Sequence, residues 1–207
     1  MTAKQPIRIL LPDTGPLISL AVGDALDLLL LVSDDVRLVL TDVVEFEATR
    51  RADRFADAGV IRAFLQQHAD RVEVMPTTIG KLALGDRKRR AEDGENVSLP
   101  KDLGELSITN FVISLRTVNP GDPMLVLIED DWFAVNSYAV PGNVHLLSTS
   151  AWLDGLQELG LIPSATAVRA RIQAARPNFR SDLLVDKEAE KIDAGTEWRS
   201  RFGRARG

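Results

Sequence analysis

Apolar and polar positions along the chain alternate between two rhythms. Short apolar runs of strand length stand at residues 7–11 ("IRILL"), 36–40 ("VRLVL"), 71–75 ("RVEVM") and 143–148 ("NVHLLS"). Residues 123–131, "PMLVLIEDD", are apolar without interruption up to their acids, as a strand buried on both faces should be. Between the runs, apolar residues recur at helical spacing. Val60, Ile61, Phe64 and Leu65 share one face of "ADAGVIRAFLQQHA", and Ile108, Phe111, Val112 and Leu115 form a stripe in "KDLGELSITNFVISLRTV". Pro16 suits the first turn of a helix that follows the first strand. Gly23 divides that stretch, with Asp24 expected to cap a second helix in "DALDLLLLV". "TDVVEFEATR", "WFAVNSYAV", "TSAWLDGLQELGLI" and "SATAVRARIQAA" read as further helices.

Strands alternating with helices predict an α/β protein, a three-layer α/β/α sandwich around a mainly parallel central sheet. Sheets of this kind bind ligands beyond the carboxyl ends of their strands, near a topological switch point. Asp13 and Asp130 both follow strands and fall at such ends. The period fails over residues 76–101, a charged stretch expected to be an insertion with one helix and a mobile loop. The expected organisation is therefore one domain over residues 1–175, carrying that insertion, and a polar, basic-ended C-terminal arm over 176–207, loosely held.

Composition narrows the chemistry. A hydrophobic content of 45% is ample for a core, yet the longest apolar stretch, residues 25–32, is too short to span a bilayer. The N-terminal residues lack the apolar region of a signal peptide, so a cytoplasmic location without membrane association is expected. With no cysteine, disulfides and thiolate zinc sites are excluded, and His68 and His145 are too few and scattered to form a cluster. Any metal must then take oxygen ligands, which points to Mg²⁺ or Mn²⁺. A formal charge of −5 argues against a surface that coats nucleic acid, although residues 85–90 ("GDRKRR") and Arg199, Arg201, Arg204 and Arg206 are locally basic.

The acids that stand out are Asp13, Glu45, Glu47, Asp102, Glu105, Asp130 and Asp131. Most acids are solvated, and helix capping offers a second plain explanation, since Asp42 with Glu45 and Asp102 with Glu105 both have capping-box spacing. Helical phase separates them. Glu47 shares the inward face of Val43 and Val44 while Glu45 points elsewhere, and Glu105 heads the buried stripe of Ile108 and Val112. Asp102 is better read as a cap or outer acid. Of the adjacent pair, Asp130 lies nearer the strand end and Asp131 suits a helix cap, though the two could exchange roles. Asp13, Glu47, Glu105 and Asp130 would thus reach one pocket from four elements. Packed carboxylates repel, so such a cluster makes physical sense chiefly around divalent cations, which can activate water and steady charge on a phosphodiester.

At these residues the chain resembles a PIN domain, the ribonuclease fold of VapC-type toxins, over about residues 7–162. "LLPDTGPLISL" is similar to the family's opening strand, Asp-Thr-Ser/Gly and hydrophobic helix. "VVEFEA" carries the second acid as Glu47, "GELSI" the third as Glu105, and "LVLIEDD" the fourth as Asp130. The spellings "DLGELSI" and "AWLDGLQELGLI" are similar to a subgroup of prokaryotic PIN proteins. Two features depart from the pattern: no threonine precedes the last acid, and residues 76–101 are longer than in compact toxins. The resemblance implies a Mg²⁺- or Mn²⁺-dependent endoribonuclease, the toxin of a toxin–antitoxin pair. Catalysis and metal binding would fall to Asp13, Glu47, Glu105 and Asp130, with Asp131 as the alternative fourth ligand and Thr14 as a supporting hydrogen bond. RNA is the implied substrate; an antitoxin protein and a second copy in a homodimer are the implied partners.

The rival reading is a non-catalytic PIN-like module for nucleic-acid or protein binding, against which the four acids argue. An aspartic protease needs a β-rich fold and two Asp-Thr-Gly triplets, and a phosphohydrolase of the Asp-x-Asp type needs an acid where Gly15 stands. Arg87 to Arg90 read as a solvated face in preference to an RNA contact. Trp132, Trp152 and Trp198 read as packing residues and His145 as structural.

Overall fold

The computed structural model describes residues 7–31, 36–118, 123–130 and 143–187. The chain opens with β1 (Ile9–Pro12) and α1 (Thr14–Val22), then β2 (Arg37–Thr41), α2 (Asp42–Thr49), α3 (Ala56–Gln67) and β3 (Val72–Met75). Next come α4 (Thr78–Glu92), α5 (Leu103–Val118), β4 (Met124–Ile128), β5 (Val144–Ser148), α6 (Thr149–Glu158), α7 (Ala165–Ala175) and the short β6 (Asp186–Lys187). The strands lie in the order β3-β2-β1-β4-β5-β6; the first five are parallel and β6 runs antiparallel to β5. Helices flank this sheet as a three-layer α/β/α sandwich.

Every residue of β1, β4 and β5 is buried, which is why these strands read as continuous apolar runs. Oxygen side chains at the strand ends start the next helices. Thr41 accepts from Val44 N at the head of α2, and Ser148 accepts from Ala151 N at the head of α6. Thr77 and Ser164 cap α4 and α7 in the same way. From β1 the chain steps outward to β2 and β3, then returns past β1 to add β4 and β5 on its other side. The switch point therefore falls between β1 and β4, where Asp13 and Asp130 emerge.

The structure departs from the sequence expectations after Gly23 and beyond residue 175, and it gives the one helix expected within residues 76–101 its length. After Gly23 there is no capped α-helix. Asp24 adopts a left-handed φ of 49°, and Leu26–Leu31 forms a 3-10 helix in which Leu26 and Leu29, three residues apart, are buried on one side. Residues 76–101 are dominated by a 15-residue helix, α4, in which only Gly80 is fully buried. A helix packed so lightly carries no hydrophobic period, so its length was hidden. The arm beyond residue 175 is docked as far as residue 187. Phe179 is buried, Ser148 Oγ donates to the Leu183 carbonyl at 2.6 Å, and β6 pairs with Leu146 and Leu147.

The helix expected in "WFAVNSYAV" lies outside the described residues, as do Asp131, Trp132, Trp198 and the tail arginines. Trp152 and His145 are completely buried, as packing roles require. Among the described residues no helix is long and apolar enough to cross a membrane.

Candidate metal centre

Asp13 sits one residue beyond β1, and its N–H donates to the Leu127 carbonyl of β4 at 3.0 Å, which pins the two strand ends together. Its side chain occupies the N-cap position of α1 yet makes no capping hydrogen bond, although the residue is only 5% exposed. Capping therefore does not explain it. Burial pushes its carboxyl well above the usual range; the charges of Glu105, Asp130 and Glu47 push the same way, against a hydrogen bond from the Thr14 backbone.

Glu105 enters from the first turn of α5 and Asp130 from beyond β4. Carboxylate oxygens of Asp13, Glu105 and Asp130 lie within 4.8 Å of one another, with Asp13 buried, Glu105 half-buried and Asp130 exposed. The Glu105 carboxyl is pushed up to about 7, first by burial and then by its hydrogen bond and charge interaction with Asp130 and the charge of Asp102, against a backbone hydrogen bond. The structure thus brings together three acids that sequence reasoning singled out from positions 13, 105 and 130.

Glu47 is a neighbour of this trio. As its helical phase requires, it is half-buried beside the fully buried Val43 and Val44. Its Oε2 accepts from Thr14 Oγ1 at 3.1 Å. Burial raises its carboxyl, while the Thr14 bond and the charge of Arg50 lower it. Gly104 connects Glu47 to the other acids. A Cβ at Gly104 would stand 2.9 Å from Glu47 Oε2, 3.4 Å from Asp13 Oδ1 and 3.7 Å from Thr14 Oγ1. Glycine leaves a hollow there that any side chain would fill. The acids set aside as structural are accounted for: Asp42 accepts from Thr77 Oγ1 at 2.8 Å, and Glu45 accepts from Thr49 Oγ1 at 3.2 Å. Asp102, at a left-handed φ of 59°, stands outside the trio beside Lys101.

Two supporting features escaped the sequence reading. Ser107 donates to the Gly104 carbonyl at 2.6 Å, so the proton in its 2.6 Å contact with Thr41 comes from Thr41. Thr41 in turn accepts from Val44 N, so one chain of hydrogen bonds ties the α2 cap to the α5 turn bearing Gly104 and Glu105. The second feature is Glu129. Its Oε2 accepts from Ser19 Oγ at 2.8 Å and from Arg176 Nη1 at 2.9 Å, and its Oε1 accepts from Thr149 Oγ1 at 2.8 Å. Arg176 also donates to the Gly15 carbonyl at 3.1 Å. Glu129 is therefore a tie between α1, α6 and the end of α7, set directly before Asp130. These partners lie 110, 47 and 20 residues away, beyond the reach of local pattern.

Compared with known proteins, the chain matches no family model, no curated protein and no solved structure. The candidate site rests on its own geometry. Its donors are crowded carboxylate oxygens of mixed burial, from the buried Asp13 to the exposed Asp130. That set fits a metal ion, of the hard, oxygen-loving kind.

Proposed function

We propose that this protein is a Mg²⁺- or Mn²⁺-dependent endoribonuclease of PIN-like type. The observation that carries the reading is Asp13: a buried carboxylate that caps nothing, pinned at the switch point within reach of Glu105 and Asp130. Asp13, Glu105 and Asp130 would hold the ion, and Glu47, oriented by Thr14, would complete the charged wall beside it. The ion would supply Lewis-acid stabilisation of charge on the phosphodiester and acidify water for attack. The chain's own groups do the rest. Asp13 and Glu105 would present their carboxylates to the cation, Thr14 fixes the direction of Glu47, and Gly104 keeps the hollow open. No side chain need serve as nucleophile. The finer reading, a toxin checked by an antitoxin protein, is carried by the resemblance to VapC-type toxins.

The test is cleavage of varied RNAs with Mg²⁺ or Mn²⁺ by the wild type, Asp13→Asn and Glu105→Gln. The wild type should cut, chelator should stop it, and each variant should lose about 100-fold or more, the scale on which a removed charge-stabilising group lowers turnover. A wild type that binds no metal and behaves like both variants overturns the proposal.

A further inference from the structure

The basic run at residues 85–90 does not behave as one patch. Arg89 pairs with Asp86 at 3.1 Å and Arg90 with Glu95 at 2.7 Å, all four side chains exposed. Arg87 turns elsewhere. Its guanidinium carbon stands 4.9 Å from the ring centroid of Phe46 on α2, and Arg50, at the end of that helix, places its own 5.8 Å from the same centroid. Among the described residues neither Arg50 nor Arg87 is in salt-bridge contact with a carboxylate, although the charge of Arg50 reaches Glu47, and Arg87 Nε is buried with no hydrogen-bond partner. Two like charges gathered on one phenyl ring repel, and the ring's quadrupole returns only part of the hydration a guanidinium gives up. An anion drawn to both guanidiniums would complete the arrangement.

The location specifies which anion. Phe46 directly precedes Glu47, and Arg50 follows Glu47 by three residues, close enough that its charge acts on the Glu47 carboxyl. An acid centre repels a polyanionic strand, so the strand is best held by flanking cations. We infer that Arg50 and Arg87, set on Phe46, form a phosphate-binding subsite for the RNA backbone alongside the acid centre. The inference rests on the nuclease reading and adds to it the residues that grip the substrate. Arginine suits this role because its planar fork meets phosphate oxygens in pairs.

The experiment is fluorescence anisotropy of a labelled oligouridylate with the full chain, carried out in an Asp13→Asn background so that no turnover intrudes, over a range of salt concentrations. Arg50→Gln with Arg87→Gln should weaken binding about tenfold and reduce the salt slope by about 1.4, the loss of two phosphate contacts to a single strand. Arg89→Gln with Arg90→Gln removes equal charge from paired positions and should leave the slope unchanged. Arg87→Lys should retain the slope, and thermal midpoints will verify folding of each variant. Equal weakening by both double variants, or an unchanged slope for Arg50 with Arg87, overturns the subsite. Metal-dependent cleavage by the wild type is read separately. Cleavage with an unaltered slope removes the subsite alone, while slope loss without cleavage removes the nuclease reading and leaves a strand-binding site.

Discussion

Asp13 and Glu105 show what a carboxylate costs where water is scarce. Burial and the neighbouring acids push the Glu105 carboxyl up to about 7 in the folded protein, against about 4.5 in an unfolded chain. The folded state therefore binds more protons in that window. The stability this supplies is complete below about pH 4.5 and is lost as pH rises through about 7. Urea unfolding in chelator should show the wild type losing about 1–2 kcal/mol more than Glu105→Gln between pH 5 and 8, less than the full shift implies because solvent screens a half-exposed group. At the same scale, Gly104→Ala tests the hollow. Its Cβ would fall 2.9 Å from Glu47 Oε2, so that carboxylate must move. Mn²⁺ affinity should drop by about tenfold or more, as when a ligand's supporting contact is altered, while the thermal midpoint changes little.

At the scale of elements, the acid centre depends on how the first turn of α5 is seated. Thr41 both caps α2 and donates to Ser107, which holds the carbonyl of Gly104. Ser107→Ala should cost about 1–2 kcal/mol in chemical denaturation, since it leaves the buried Thr41 hydroxyl without its acceptor. It should also weaken Mn²⁺ binding, although Ser107 touches no candidate ligand; unchanged Mn²⁺ affinity would show that the turn is seated by other contacts. How far an element could be read from sequence followed how it is buried. The strands β1, β4 and β5 are enclosed on both faces and announced themselves as apolar runs, and α5 did so through Ile108, Phe111 and Val112. The helix α4 buries almost nothing and gave no period, and the 3-10 turn after Asp24 follows from a backbone angle that apolar content does not encode. Among site residues, Asp13, Glu47 and Glu105 could be singled out because a charge at a strand end or on a buried face is anomalous. Glu129 could not, because its partners Ser19, Thr149 and Arg176 meet only once three helices have packed.

At the scale of the whole molecule, the order in which strands are added to the parallel sheet reverses between β1 and β4, and the fold delivers Asp13 and Asp130 to that crevice from the ends of those two strands. The docked C-terminal segment belongs to the same construction. Arg176 reaches from the end of α7 to Glu129, and β6 closes the sheet beside β5. The proposed chemistry requires that the crowded carboxylates of Asp13, Glu105 and Asp130 bind a divalent metal ion. Isothermal titration of Mn²⁺ at neutral pH, in buffers of different ionisation enthalpy, tests it directly. The wild type should bind with proton release, because the Glu105 carboxyl, pushed up to about 7, must ionise fully, and Asp13→Asn should bind about 100-fold more weakly or not at all. No uptake by the wild type, or equal uptake without proton release by Asp13→Asn, would contradict it.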